Sequence, residues 1–407
     1  MYKTKFNRVI NKKSLDCLTA NLIRYVYYNC SGMYVSGSRK GYDSIIVNGK
    51  IVDAGISTRT TKGMLDVLED SGRIVRYRGH NIKGKVKLGY MVLSDDFIEE
   101  IKRMIDFSKV KLKEKGSAVV LRGDNKELLE YGDSDFIRSC IRGVNKYNKL
   151  MSKVEVTLHN KITGELFIYP CQAVRIFSRG DFECNGRYYL TGGSVQTLSG
   201  YLRGNLEIDG EETQEADFKG LHLAIAGELN GYYWMEGFDP YNIYTSSVSI
   251  DPVKVKDHQL RYNTSYNPMR NFLKVCILVM INSKNKKQAI EALKSKLKSD
   301  SELEDKGNMS FVGIKCVSYD ELFFDIEEHH QEIVDVFFSD SGIKFMRMDS
   351  DIIGYILDKC VSNMVYAIPV HDSIICKKKD LNKVIQYMKE GYKHVMGSDN
   401  NCVIEVK

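Results

Sequence analysis

The chain has 407 residues, 43% of them hydrophobic and 28% charged, with a formal net charge of +6. That length buries a sizeable core in two or three domains, and so mild a basic balance makes the distribution of charge more informative than its total. No stretch is apolar enough to span a bilayer, Met1-Tyr2-Lys3-Thr4-Lys5 leads into further charge rather than a signal core, and the ten cysteines form no close Cys-x-x-Cys pair. A membrane protein, a disulfide scaffold and a zinc finger are therefore not expected, and His329-His330 has no cysteine at finger spacing. The expectation is a reducing cytoplasm; the bias towards Lys, Asn, Ile and Tyr fits an AT-rich genome of a bacterium, phage or mobile element, hence a bacterial or phage-infected host cell.

In chain order, residues 1–50 are mixed, with a helix predicted over 14–29 and a glycine-rich turn after it. Residues 56–69 give a serine-capped helical pattern with one apolar face. Residues 71–90 then carry Arg73, Arg76, Arg78, Lys83, Lys85 and Lys87 with no acid, interrupted by Gly79, Gly84 and Gly89, and Leu93-Ser94-Asp95 opens another helix. Helix, basic hairpin and helix resemble a winged helix over about 54–110, in shape and pattern only. Its wing would lie along nucleic-acid phosphate and contribute salt-dependent, largely sequence-independent affinity. A solvated hairpin with a protein-binding role is the alternative. A helix over 135–153 links this region to strands at 154–158 and 166–170.

The rear of the chain carries the chemistry. Residues 207–213 read as a strand and hairpin leading into Glu215-Ala216-Asp217-Phe218, and beyond Asp217 the apolar spacing turns from strand-like to helix-like. Residues 239–249 follow, then a helix on which Arg270 and Lys274, four apart, face one side. Met269, Phe272, Leu273, Cys276, Ile277 and Met280 give its other face apolar cover. A lysine-rich helix at 284–298, a charged loop at 299–308 and a helix at 345–357 come next; Ile352, Ile353, Ile356 and Leu357 read as core, while Arg347 and Asp349 suit core or site. Finally Met364-Val365-Tyr366-Ala367-Ile368 leads into Pro369-Val370-His371-Asp372-Ser373-Ile374, a buried hairpin with an aspartate at its tip. Such a carboxylate is costly unless a cation offsets it. Two strand-end aspartates suggest a shared divalent ion with hard oxygen ligands, the arrangement that phosphoryl and nucleotidyl transfer need.

On four ordered segments the chain resembles the superfamily of family A DNA polymerases and single-subunit, phage-type RNA polymerases. Glu183-Cys184-Asn185-Gly186-Arg187 looks like the acidic-x-x-Gly-Arg element that contacts the template–product duplex, with Gly186 permitting close backbone approach to phosphate. Asp217-Phe218-Lys219-Gly220-Leu221-His222 looks like motif A, Arg270-Asn271-Phe272-Leu273-Lys274 like motif B, and His371-Asp372-Ser373 like motif C. The resemblance covers roughly 170–407. It implies an α+β right-hand polymerase, with an antiparallel palm sheet and helical fingers, behind an α+β N-terminal region. The divisions implied are a nucleic-acid-binding or thumb-like 1–150, palm at 151–228, fingers at 229–341 and palm again at 342–407. Asp217 and Asp372 would be catalytic, and with the Phe218 carbonyl would hold two Mg²⁺ ions, with Mn²⁺ as a substitute. Arg270, Lys274 and His222 would bind the nucleotide. Gly186, Arg187 and His371 would hold the nucleic acid. The implied partners are DNA template and primer, nucleoside triphosphates and replication accessory proteins, with no membrane.

Departures from the family pattern bear on the substrate. Ser373 is nearer the RNA polymerase form of motif C, whereas His222, five residues after Asp217, is bulky enough to obstruct a ribose 2′-hydroxyl and leans towards dNTPs. Asn282 stands where the family commonly has tyrosine. Three readings follow: a DNA polymerase without proofreading, since the front 150 residues lack paired acidic motifs; an RNA polymerase or primase on the same frame; and an inactive, DNA-binding replication or regulatory factor.

Overall fold

The computed structural model describes residues 12–27, 33–34, 44–47, 50–53, 58–77, 80–82, 85–87, 90–106, 117–159, 166–190, 195–198, 200–235, 237–262, 267–301 and 310–407. It is a mixed α+β structure with antiparallel and mixed sheets. No described helix is long and apolar enough to cross a membrane.

The front unit has its own small core. Helices Lys12–Tyr27, Thr58–Asp70 and Asp95–Met104 contribute Leu18, Met64, Leu65 and Ile101 to it, against Ile74, Met91 and Leu93 of a three-stranded sheet. In that sheet Ile74–Tyr77 pairs antiparallel with Tyr90–Leu93, and the basic segment between them continues as the pair His80–Ile82 and Lys85–Lys87. Ser94 caps the following helix, accepting from the backbone N–H of Phe97, and Asp95 and Asp96 in the first turn complement the helix dipole.

The larger core is built on an antiparallel sheet. Its strand order runs Leu166–Ile168, Val156–His159, Leu206–Ile208, Glu211–Phe218, Ser373–Lys377 and Ala367–Val370. Strand Ile404–Val406 adds to the edge of Glu211–Phe218 beyond the point where Leu206–Ile208 stops pairing. The hairpin that carries Asp372 is buried along both strands; Ile368, Ile374, Ile375 and Cys376 are at most 1% exposed. Burying each such aliphatic side chain stabilises the fold by about 1.5–3 kcal/mol, which fixes the register of a strand whose one-residue slip would expose the set.

A second, mixed sheet lies in the order Asp181–Leu190, Ala173–Ser178, Val119–Arg122 and Leu128–Leu129, the middle pair parallel. Helix Asp135–Met151 packs on it, so residues from 119 onwards share a sheet with the Gly-Arg segment. The long helix Gly342–Ser362 packs on strand Asp181–Leu190 and on helix Leu381–Met396. Its buried stripe is Phe345, Ile352, Ile353, Ile356, Leu357 and Cys360, as the helical spacing predicts, but Arg347, Asp349 and Ser350 are buried there too. Buried polar groups on an otherwise apolar stripe are the informative exception.

Candidate functional site

Strand Glu211–Phe218 alternates, with Ala216 and Phe218 turned into the core and Asp217 to the opposite face. Asp217 stands directly opposite Ser373 on one neighbour and Glu405 on the other. The hairpin turn brings Asp372 beside it: the N–H of Phe218 donates to the Asp372 carbonyl at 3.3 Å, and His371 takes a left-handed φ of 57° to make the turn. The Asp217 carboxyl is pushed above the ordinary aspartate range, first by burial and then by the charge of Asp372, with the Lys407 ammonium opposing at 2.6 Å. Lys407 is half-exposed where it pairs with Asp217, while the charge of Asp372 is felt by Arg187.

Two positions back on the same face, Glu215 is in the contrary state. Burial pushes its carboxyl up, but Arg203 at 2.8 and 3.1 Å and the Ser373 hydroxyl at 2.6 Å hold it below its ordinary range. Neither Arg203 nor Glu215 was singled out by motif spacing; their signal is only that a buried acid on a strand needs a partner.

On the adjoining face, Arg187 donates from Nε to both oxygens of Asp349 at 3.2 and 3.0 Å, and from Nη2 to Oδ2. His222, in the first turn of helix Leu221–Leu229, brings Nε2 to 3.2 Å from Asp349 Oδ2 and 3.3 Å from Arg187 Nη2. The His371 imidazole is held below its ordinary range by burial and by Arg187. Gly186 adopts φ 83° within strand Asp181–Leu190, and a Cβ there would come within 2.8 Å of the Phe177 ring and 2.9 Å of Ser350 Oγ. Glycine is thus required by the close approach of strand Ala173–Ser178 and helix Gly342–Ser362.

Helix Pro268–Asn282 presents Arg270 and Lys274 on one side. Asn267 caps it by accepting from the Arg270 N–H, and the other face buries Phe272, Leu273, Cys276, Ile277 and Met280. Arg270 donates to Asp239 at 2.7 and 3.0 Å and lies 5.1 Å over the Tyr241 ring; Lys274 lies 5.7 Å over the same ring and pairs with no acid among the described residues. The Tyr241 hydroxyl is pushed up to about 12, mainly by burial, with Arg270 opposing and the Asp372 charge adding. Gly220, at φ 62°, makes room for it: a Cβ there would lie 3.2 Å from the Tyr241 hydroxyl. Tyr241 therefore stands between the helix cations and the paired aspartates. It lies in an irregular segment, and no spacing marked it.

The structure thus gathers Asp217, Phe218, Asp372, His371, Arg187 and His222, and joins Arg270 and Lys274 to them through Tyr241. Among the described residues no group of three or more His, Cys, Asp or Glu is clustered for metal binding. In the basic segment of the front unit, two arginines are paired with acids of the neighbouring helices. Arg73 pairs with Glu100 at 3.1 Å, and Arg76 with Asp66 and Glu69. Arg78 and Lys83 lie outside the described residues, as do the side chains of Lys85 and Lys87 on strand Lys85–Lys87.

No protein-family model and no curated protein matches the chain. Among solved structures it is similar to the POL domain of Pol1 from M. smegmatis in complex with DNA primer-template and dNTP. The identity is 10% and the TM-score 0.31, over 98% of this chain and 64% of that one. The chain thus spans a little under two thirds of the length of that domain.

Proposed function

We propose that this protein is a template-directed nucleotidyltransferase, a DNA-directed DNA polymerase that extends a primer with dNTPs and does not proofread. The observation that carries the reading is the pair of aspartates, one near the end of strand Glu211–Phe218 and one in the adjoining hairpin turn, with Asp217 raised by burial and by Asp372 and paired with the half-exposed Lys407. A partly buried carboxylate left short of cation suits a site that receives one.

Asp217, Asp372 and the Phe218 carbonyl would hold Mg²⁺, and the fit rests on the Lys407 ammonium standing 2.6 Å from Asp217 as a stand-in cation. When bound, the ions supply charge neutralisation for the attacking and leaving oxygens of an in-line displacement. The chain's own residues do the positioning. Lys274, free of acid partners among the described residues, and Arg270, once shared away from Asp239, grip the triphosphate from one helix face. Tyr241 beneath them sets their distance from Asp372. Arg187 and His371 steady the primer end, whose 3′-oxygen forms a bond to the α-phosphorus while the bond to pyrophosphate breaks. His222 walls the sugar side and disfavours a 2′-hydroxyl.

Extension of a labelled primer on a DNA template with Mg²⁺, offering dNTPs and NTPs separately and including a primer-free lane, tests this. The expected outcome is extension with dNTPs, lost in Asp217→Ala and Asp372→Ala by about a thousandfold or more. Unchanged incorporation in Asp372→Ala rules the mechanism out. Ser373, where the DNA enzymes of the resembled family carry glutamate, favours RNA synthesis as the second reading; primer-free product from NTPs selects it. Silence in every lane selects an inactive, DNA-binding factor.

A further inference from the structure

Asp349 has no exposed surface and lies on the apolar stripe of helix Gly342–Ser362, where an isolated carboxylate is expensive. Two groups from other elements answer it. Arg187 reaches it from 162 positions away, through Nε to both oxygens and Nη2 to Oδ2, and His222 from 127 positions away, through Nε2 to Oδ2 at 3.2 Å. One carboxylate therefore ties together strand Asp181–Leu190, helix Leu221–Leu229 and helix Gly342–Ser362.

This geometry also places a proton. A bare Nε2 lone pair 3.2 Å from a carboxylate oxygen would be repelled, which favours Nε2 carrying the hydrogen and donating it to Oδ2 over its accepting one from Arg187 Nη2 at 3.3 Å. Arg187 Nη2, 3.3 Å from Nε2, then has no acceptor there and shares Oδ2 instead. On the far side of the ring Nδ1 is buried without a hydrogen-bond partner among the described residues, and the ring lies edge-on to Phe345 at 5.9 Å. The orientation of the imidazole thus hangs on Asp349.

We infer that Asp349 is a positioning residue. It locks His222 in the Nε2–H form and aims both that ring and the Arg187 guanidinium, so that sugar selection and primer-end alignment depend on one buried carboxylate. Its consequences for nucleotide choice rest on the polymerase reading; the assignment of the proton does not.

Two measurements on the full chain separate these. In ¹⁵N-histidine NMR, with the His222 signals assigned from the His222→Asn spectrum, the wild type is expected to show Nε2 protonated, and Asp349→Asn to lose that fixed state. A wild-type ring with its only proton on Nδ1 overturns the inference even if polymerase activity is present. In single-nucleotide incorporation, Asp349→Asn is expected to lower kcat for dNTPs by about 10- to 100-fold, the scale of a misaligned site, and to reduce the dNTP-over-NTP ratio about tenfold. His222→Ala should reduce that ratio equally, and the double variant no further. An Asp349→Asn protein that only melts earlier, with ratio and ring unchanged, assigns Asp349 to packing alone and overturns the inference. If Asp349→Asn does not fold, Arg187→Gln serves: it should keep the Nε2–H signal, and losing it would assign the proton to Arg187 instead. Wild-type protein that incorporates nothing sinks the polymerase reading, while the NMR result still decides the role of Asp349.

Discussion

Glu215 and Asp217 occupy one face of one strand, two residues apart, and their surroundings move their protons in opposite directions. Glu215 is held below its ordinary range by Arg203 and Ser373, so the stability it contributes is present above the usual glutamate range and is lost as pH falls through its folded value. Asp217 is raised, so its favourable contribution is present below the usual aspartate range and is lost as pH rises through its folded value; when ionised at neutral pH it is a cost. Asp217→Asn should therefore raise Tm at pH 7.5, and the gain should shrink as the buffer is taken towards pH 4. Calorimetry across that range checks it, and a lowered Tm at neutral pH would show that the Lys407 pair outweighs the desolvation. Lys407 yields a second prediction. A half-exposed ion pair is worth about 0–1 kcal/mol, so if the aspartate pair holds a divalent ion as proposed, Lys407→Met should tighten Mn²⁺ binding by up to about fivefold in a direct titration. Unaltered affinity would mean that the ammonium and the ion do not compete.

At the scale of elements, the turn between strand Glu211–Phe218 and helix Leu221–Leu229 fixes more than its own path. Gly220 is left-handed there and leaves room for the Tyr241 hydroxyl, on whose ring Arg270 and Lys274 rest. Gly220→Ala should cost about 1–2 kcal/mol from the left-handed conformation and, if the protein extends primers as proposed, should raise KM for dNTP by displacing Tyr241. Denaturant melts and steady-state kinetics measure the two effects, and a stability loss with unaltered KM would detach Tyr241 from the nucleotide. The handover at Asp217, the Asp372 hairpin and the cationic helix were all legible in sequence, because each is written in local period and capping. What was not legible depends on contacts between distant segments. Strand Ile404–Val406 is three residues long and is defined only by its partner's edge; Asp349 and Arg187 are 162 positions apart. The neighbours of Gly186 were hidden for the same reason, since the sequence shows that a glycine is present but not which side chains crowd it.

Across the whole molecule, the two cores would bear differently on the proposed nucleic-acid partner. The front unit gathers the acid-free run of 71–90, yet its neighbouring helices supply the acids that the run lacks. Arg76 is 20% exposed and pairs with both Asp66 and Glu69; Arg73 is 42% exposed and pairs with Glu100 alone. A cation already neutralised by two carboxylates releases few counterions on meeting a phosphate, whereas a half-exposed one can exchange its partner. Each phosphate contact contributes about 0.9 to the slope of log K against log salt on duplex DNA. If the front unit binds DNA, Arg73→Ala should lower that slope by about one. Arg76→Ala should leave the slope unchanged and instead destabilise the front unit by about 1 kcal/mol or less, because the ion pairs it makes with Asp66 and Glu69 are partly exposed. Fluorescence anisotropy over a salt series, paired with thermal melts of the same proteins, separates the two roles. A slope that falls by one in Arg76→Ala would mean that the guanidinium leaves its acids for the backbone, and that the basic hairpin acts as a phosphate-binding wing after all. A slope unmoved by either substitution would return the hairpin to a protein-binding role and leave duplex affinity to Arg187, His371 and the helix cations around Asp372.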